Sequence, residues 1–305
     1  MAPKTHMKKN NTLNLENKKF IVTSLAPALI SLILITVVPF VINIINSLRN
    51  YYLADPKGPT FVGLENFKQI LFNDANFWHS LWITLLFTAG CILIEFWLGL
   101  YIAGLLSSGG TFRNIIRSLL ILPMAATPVA VSFTWKIMYS PSLGIINYFL
   151  KLFNINGAAW VGDPKIALLS VILVDVWQWT PFMMLIMLAG YMSLPTEPFE
   201  AATVDGAKDW HIFRYITLPL IKPVALTALL FRVIDSLKTF DIIFVLTRGG
   251  PGNTTETLNL YTYLKGFSYL RIGEASALAI IFLLIVIAIS QIYLKYAGLE
   301  FGGSN

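Results

Sequence analysis

The chain has 305 residues, 56% of them hydrophobic and only 12% charged, with a mean hydropathy of +0.69. That composition excludes an ordinary soluble domain and predicts a polytopic membrane protein. The net charge of +6 comes from basic residues spread over short segments and clustered only near the start, which argues for orientation in a membrane and against a nucleic-acid surface. The single cysteine, Cys91, lies in an apolar run, so no disulfide within the chain is expected.

Residues 1–19 carry Lys4, Lys8, Lys9, Lys18 and Lys19 against Glu16, a basic tail that the positive-inside rule retains in the cytoplasm. The apolar run Phe20 to Leu48 exceeds a signal-peptide core of about 7 to 15 residues and reads as an uncleaved first span. Pro27 and Pro39 within it are acceptable in a membrane helix. Arg49 to Phe77, with Pro56, Gly58, Pro59 and Gly63, is expected to be an external loop, closed by the boundary aromatics Trp78 and Trp82. The second span runs to Leu106 and holds an intramembrane acid, Glu95, read as a satisfied structural or interhelical group. After a Ser/Gly connector flanked by Arg113 and Arg117, a third span reaches Met138, interrupted by Pro123 and Pro128.

Tyr139 to Lys165 forms a second external loop, Ile166 to Leu194 a fourth span and Lys222 to Leu246 a fifth. Arg248 to Tyr269 is the third external loop, opening on the turn Gly249-Gly250-Pro251-Gly252, which is expected to meet an external partner. Glu274 to Tyr296 is the sixth span. The predicted organisation is all-α: a tail over 1–19, one six-span domain over 20–297, and a short tail over 298–305. Both termini are cytoplasmic. Eleven lysines and arginines fall in the cytoplasmic segments against eight in the external ones, so the N-terminal tail decides the orientation.

Between the fourth and fifth spans lies a polar island over 196–220. Pro198 suits only the first turn of a helix, Gly206 can take the left-handed conformation that stops one, and Asp209 can cap the next, which carries Trp210 and Phe213. The island is therefore predicted to be two short helices joined at a bend.

The residues Glu200, Ala201, Ala202, Gly206, Ile216, Leu218 and Pro219, at this spacing, resemble the EAA loop of the permease subunits of binding-protein-dependent ABC importers. The likeness extends to Phe240-Asp241, to Val245 through Pro251 and to Gly63 through Phe67. These are similar to the carbohydrate branch of the family, its maltose-like and glycerol-phosphate-like first permease subunit. The resemblance implies the type I importer permease fold with six transmembrane helices in a prokaryotic plasma membrane. It also implies a heterodimer with a second permease, ABC ATPase subunits and an external or periplasmic solute-binding protein, with lipid around the spans and no nucleic acid. On this resemblance the ATPase would dock on Glu200, Ala201, Ala202, Asp205, Gly206, Leu218 and Pro219. ATP and magnesium would be bound by that ATPase, with no cofactor in this chain, which indeed contains no GxxxxGK[ST] stretch. The three histidines, His6, His79 and His211, are far apart and give no metal-binding spacing.

Charges inside spans cost at least about 2.5 kcal/mol at a helix centre and so call for a reason. Asp175, Gln178, Trp179 and Phe182 share one face of the fourth span, and Arg232, Ser236 and Thr239 one face of the fifth, with Asp235 beside them. These eight residues are the expected substrate path. A ladder of ion pairs through Arg232, Asp235, Lys238 and Asp241 is the competing structural reading. The expected solute is a sugar, with a phosphorylated polyol or a secondary transporter as alternatives.

Overall fold

The computed structural model describes residues 20–107 and 110–298, so the tail over 1–19 and nearly all of 298–305 lie outside the described residues. Among the described residues, five helices are long and apolar enough to cross a membrane: α1 (Phe20–Ser47), α3 (Ala75–Leu106), α7 (Ala167–Met192), α9 (Asp209–Leu237) and α12 (Ile272–Ala297). A further apolar pair, α4 (Thr111–Ala125) and α5 (Pro128–Met138), occupies the place of the third span and is bent by 94° at a short break. Prolines within this stretch were legible in the sequence, but a bend this sharp replaces the single interrupted span expected there. Ala126 and Thr127 are extended, as the residue before a proline prefers, and the Thr127 hydroxyl accepts from the Ala130 amide at 3.4 Å to start α5.

The loops opposite the elbow are built, not slack. Strands β1 (Arg49–Asn50) and β2 (Thr60–Phe61) pair antiparallel, and α2 (Glu65–Asn73) leads into α3, whose first amides are capped by Asp74. Between α5 and α7, Trp160 donates to Asn147 of α6 (Ile145–Leu152) at 2.8 Å and stacks on Tyr139. The fifth span ends at Leu237 and not near Leu246: the chain breaks at 238–240 and restarts as α10 (Asp241–Leu246). Helix α11 (Leu258–Tyr263) and the wide turn after it then lead to α12.

The apolar core is layered. Nearest the elbow, Leu100 and Ala103 of α3 meet Met183, Met184 and Met187 of α7 and Ile221, Ala225 and Ala228 of α9. Farther out, Phe87 and Cys91 pack with Val171 and Val174 and with Ile242 and Ile243 of α10. A third cluster joins Phe77, Tyr261, Ala277 and Leu278. Helix α3 crosses α7 closely at Gly99, where an added Cβ would lie 2.7 Å from the Met183 Cβ and 3.0 Å from the Met184 amide. Since backbone cannot yield cheaply, Gly99→Leu should destabilise the protein by roughly 1–3 kcal/mol or more. A lower melting temperature in detergent is the expected result; an unchanged one contradicts the close crossing.

Candidate functional site

Arg232 is the largest fully buried side chain, and its neighbours explain how a membrane interior tolerates it. Its Nε donates to Glu95 Oε2 at 2.6 Å and its Nη2 to Glu95 Oε1 at 2.8 Å, a two-pronged clasp from α3. Nη2 also donates to Asp175 of α7, and Nη1 donates to Asp235 Oδ2 at 3.1 Å, one turn along α9. The guanidinium lies 5.4 Å from the centre of the Trp179 ring. One cation thus joins three spans at the boundary between the two apolar layers.

The expected path residues divide in two. Asp175, Gln178, Arg232 and Ser236 are buried: the sequence put the first two on a solute-lining face of the fourth span and the last two on one of the fifth, and the structure turns all four into the interior. Gln178 donates to the Ala126 carbonyl left free at the bend of the third span (3.1 Å), and Ser236 donates to Thr88 of α3 at 3.4 Å. Asp175 Oδ1 and Gln178 Oε1 remain as buried acceptors without a hydrogen-bond partner. By contrast Trp179, Phe182 and Asp235 line a cavity of about 300 Å³ together with Phe231, Ile234 and Lys238, with Arg232 at its back wall. Trp179, Asp235, Lys238 and Thr239 border a second cavity of about 190 Å³ that continues to Pro128 and Asp241. The Asp235 side chain is 52% exposed, against 1% for Arg232.

The ladder along the fifth span survives only as its first rung. Because the helix ends at Leu237, Lys238 and Asp241 leave the spacing that would pair them, and among the described residues Lys238 makes no ion pair; its carbonyl instead accepts from Asn259 at 2.6 Å. Cys91, Glu95 and Asp175 offer ligand atoms within 4.8 Å of one another, close enough for a metal ion, but Arg232 already supplies the cation there. Glu95 and Lys238 were not among the expected site residues. The intramembrane acid was legible; its partner, 137 positions away, was not.

At the other end of α7 the elbow takes the predicted form. Helix α8 (Glu197–Val204) has Pro198 in its first turn, and Gly206 follows it at φ 71°. The Ala207 amide donates to the Ala202 carbonyl at 2.9 Å and the Gly206 amide to Thr203 at 3.1 Å, the paired bonds that close a helix on a left-handed glycine. Lys208, not Asp209, occupies the cap position; Asp209 is the first helical residue of α9, where its charge favours the helix N-terminus without a side-chain cap. The second elbow helix is therefore the start of the fifth span itself, through a wide turn at Phe213–Thr217. Glu200, Ala201, Asp205, Gly206 and Pro219 are exposed, and Ala202 and Leu218 are half-buried.

Opposite the elbow, the turn after α10 is pinned down. The Thr247 and Thr255 hydroxyls bond each other at 2.7 Å, His79 of α3 bonds the Asn253 carbonyl at 3.0 Å, and Ser80 donates to Glu256 at 3.3 Å. Burial raises the Glu256 carboxyl above its ordinary range, while the Ser80 hydrogen bond and His79 pull it down.

Residues 95–297 match the family model described as the binding-protein-dependent transport system inner membrane component. The chain belongs to this family. The permease is 37% identical over 243 residues to a trehalose/maltose transport system permease protein of Thermococcus litoralis, covering 79% of this chain and 80% of that one. It is 34% identical over 286 residues to a sulfoquinovosyl glycerol transport system permease protein of Agrobacterium fabrum (93% and 92% covered). With a trehalose transport system permease protein of Mycobacterium tuberculosis it shares 33% over 274 residues (90% and 87% covered). In structure it resembles a chain of a bacterial ABC transporter that imports the acidic polysaccharide alginate, with a TM-score of 0.82 at 21% identity, covering 96% of this permease and 100% of that chain. The fold is that of type I importer permeases.

Breaking the cluster at its centre should be costly, because Glu95 and Asp175 would be left buried without their cation. Arg232→Met is expected to lose about 3–5 kcal/mol of stability. Adding Glu95→Gln and Asp175→Asn to it should recover most of that in a melt in detergent; a single variant as stable as wild type contradicts the pairing.

Proposed function

We infer that this permease carries a sugar into the cell along the cavities beside Trp179, as the membrane-spanning subunit of an ABC importer. The observation that carries the reading is the pairing of aromatic faces, Trp179 and Phe182, with polar groups, Asp235, Lys238 and Thr239, around two neighbouring cavities that share Trp179, Asp235 and Lys238. Sugar rings pack their C–H faces on aromatic side chains while their hydroxyls bond carboxylate and hydroxyl groups. The sugar-transport names of the relatives support the same class of cargo. Against a secondary transporter, the buried charges Glu95, Asp175 and Arg232 are engaged with one another instead of facing a water-filled route.

ATP, with magnesium, is bound and hydrolysed by a separate subunit, since this sequence holds no phosphate-cradling motif. That subunit docks on the elbow, through Glu200, Ala201, Ala202, Asp205 and Gly206, with Leu218 and Pro219 at the root of α9. A second permease completes the path as a heterodimer, and a solute-binding protein delivers the sugar at the turn from Gly249 to Gly252. The buried residues Asp175, Gln178, Arg232 and Ser236 belong to the path as its supporting wall and not as contacts. The membrane is the prokaryotic plasma membrane, with both termini cytoplasmic.

In proteoliposomes of the assembled transporter, Gly206→Val places a β-branched residue at φ 71° and strains the elbow by about 1–2 kcal/mol. Sugar-stimulated ATP hydrolysis and uptake should both fall steeply while the subunits stay associated; retention of both sinks the docking role. For orientation, cysteines placed at Asn253 and Lys208 in a Cys91→Ser background should react with an impermeant reagent on intact cells at 253 and not at 208. Labelling at 208 from outside would reverse the topology.

A further inference from the structure

We propose that Glu95 and Asp175 set the charge selectivity of the path: by holding the Arg232 guanidinium in the interior, they leave the carboxylates of Asp235 and Asp241 outnumbering the one accessible cation, Lys238, beside Trp179, so that uncharged sugars pass and anionic ones are refused. This rests on the reading of that cavity as the solute path.

An arginine beside a sugar cavity ordinarily argues for an acidic or phosphorylated cargo, because its fork of N–H groups fits a carboxylate or phosphate. Here that fork is occupied. Of the five N–H groups of a guanidinium, four are engaged: Nε and one Nη2 hydrogen with Glu95, the other Nη2 hydrogen with Asp175, and one Nη1 hydrogen with Asp235. The Nε–Nη2 edge, which would grip an oxyanion with two bonds, is the edge clasped by Glu95. Arg232 is 1% exposed despite forming the back wall of the cavity, and its nearest accessible neighbour is a carboxylate.

The remaining charges tilt the same way. Lys238 borders both cavities, opposed by Asp235 in both and by Asp241 in the second. With Arg232 engaged and 1% exposed, the accessible charges bordering the two cavities are the carboxylates of Asp235 and Asp241 against the single ammonium of Lys238. A hydroxyl can donate to the half-exposed Asp235 carboxylate, whereas an anion would meet a like charge there. Charge preference is then a property of this side-chain cluster and not of the fold, since the structurally similar alginate importer handles an acidic polysaccharide.

The test uses the complete transporter, with its ATPase and second permease, in lipid nanodiscs without binding protein. Saturation-transfer NMR compares trehalose and maltose with their singly phosphorylated forms. The wild type should bind at least one neutral sugar with a preference of roughly tenfold or more over its phosphorylated form. Asp235→Asn, at a half-exposed position, should bring that ratio toward one. So should Glu95→Gln, which frees the guanidinium edge although Glu95 touches no solute; a purely structural role would weaken both ligands equally. Equal or tighter binding of the phosphorylated sugar by the wild type overturns the proposal, as does a ratio that neither substitution moves. Absence of binding by every sugar, neutral or charged, overturns the cavity reading itself and the charge selection with it.

Discussion

A guanidinium in the apolar interior is tolerable only where carboxylates reach it, and that requirement holds three spans of this permease in register. Glu95 arrives from α3, Asp175 from α7 and Arg232 from α9, and the pairs must form at hydrogen-bonding distance to offset desolvation. A slide of any one helix by a residue would shift its group by about 1.5 Å and rotate it away from the others. Apolar packing alone is less particular: the methionines Met183, Met184 and Met187 facing Leu100 could adapt to several offsets. The ion cluster fixes the offset, and the close approach at Gly99 keeps α3 near enough to α7 for Glu95 to reach across.

The same cluster sorts the polar residues of these spans into support and surface. Once Glu95 and Asp175 take the inner edge of Arg232, the opposite face of the guanidinium is left for Trp179 and its remaining nitrogen for Asp235. The indole and the carboxylate that border the cavity are thereby oriented by groups that never reach it. Gln178 does parallel work for the other wall: its amide holds the Ala126 carbonyl, and so the bend that sets Pro128 beside the second cavity.

Much of this was legible from local pattern. Apolar length gave α1, α3, α7 and α12 within a few residues, because a span is defined by what its own side chains do in lipid. The elbow was legible because Pro198 and Gly206 act through their own backbone angles. What failed depended on partners distant in sequence. The fifth span stops at Leu237 where Asn259, 21 residues away, takes up the Lys238 carbonyl, and nothing in the run from Lys222 to Leu246 announces that. Helical spacing correctly put Asp175 and Gln178 on one face, yet spacing does not say whether a face meets a cavity or another helix. Glu95 was recognisable as an acid that must be satisfied, and its satisfaction lay in a different span.

The elbow and the cluster are mechanically one unit. Helix α9 runs from Asp209 at the bend, through the wide turn at Phe213–Thr217, to Leu237, so Arg232 rides on the same helix whose first turn forms the elbow. Asp175 lies on α7, which enters the elbow from the other side after Met192. A push on α8 would therefore reach the cavity along both α7 and α9, and because Arg232 bonds Asp175 between them, the two helices would move together and not splay apart. The third contact, Glu95 on α3, extends the unit to a helix with no direct place in the elbow. Motion relative to this block is then expected where no ion pair ties the chain to it: at the break over 238–240 and along α1, whose most apolar stretch is wholly unburied within this chain. Under the importer reading, force at the elbow displaces α3, α7 and α9 as a block, and the cavity wall supplied by Asp241, beyond the break, shifts relative to it.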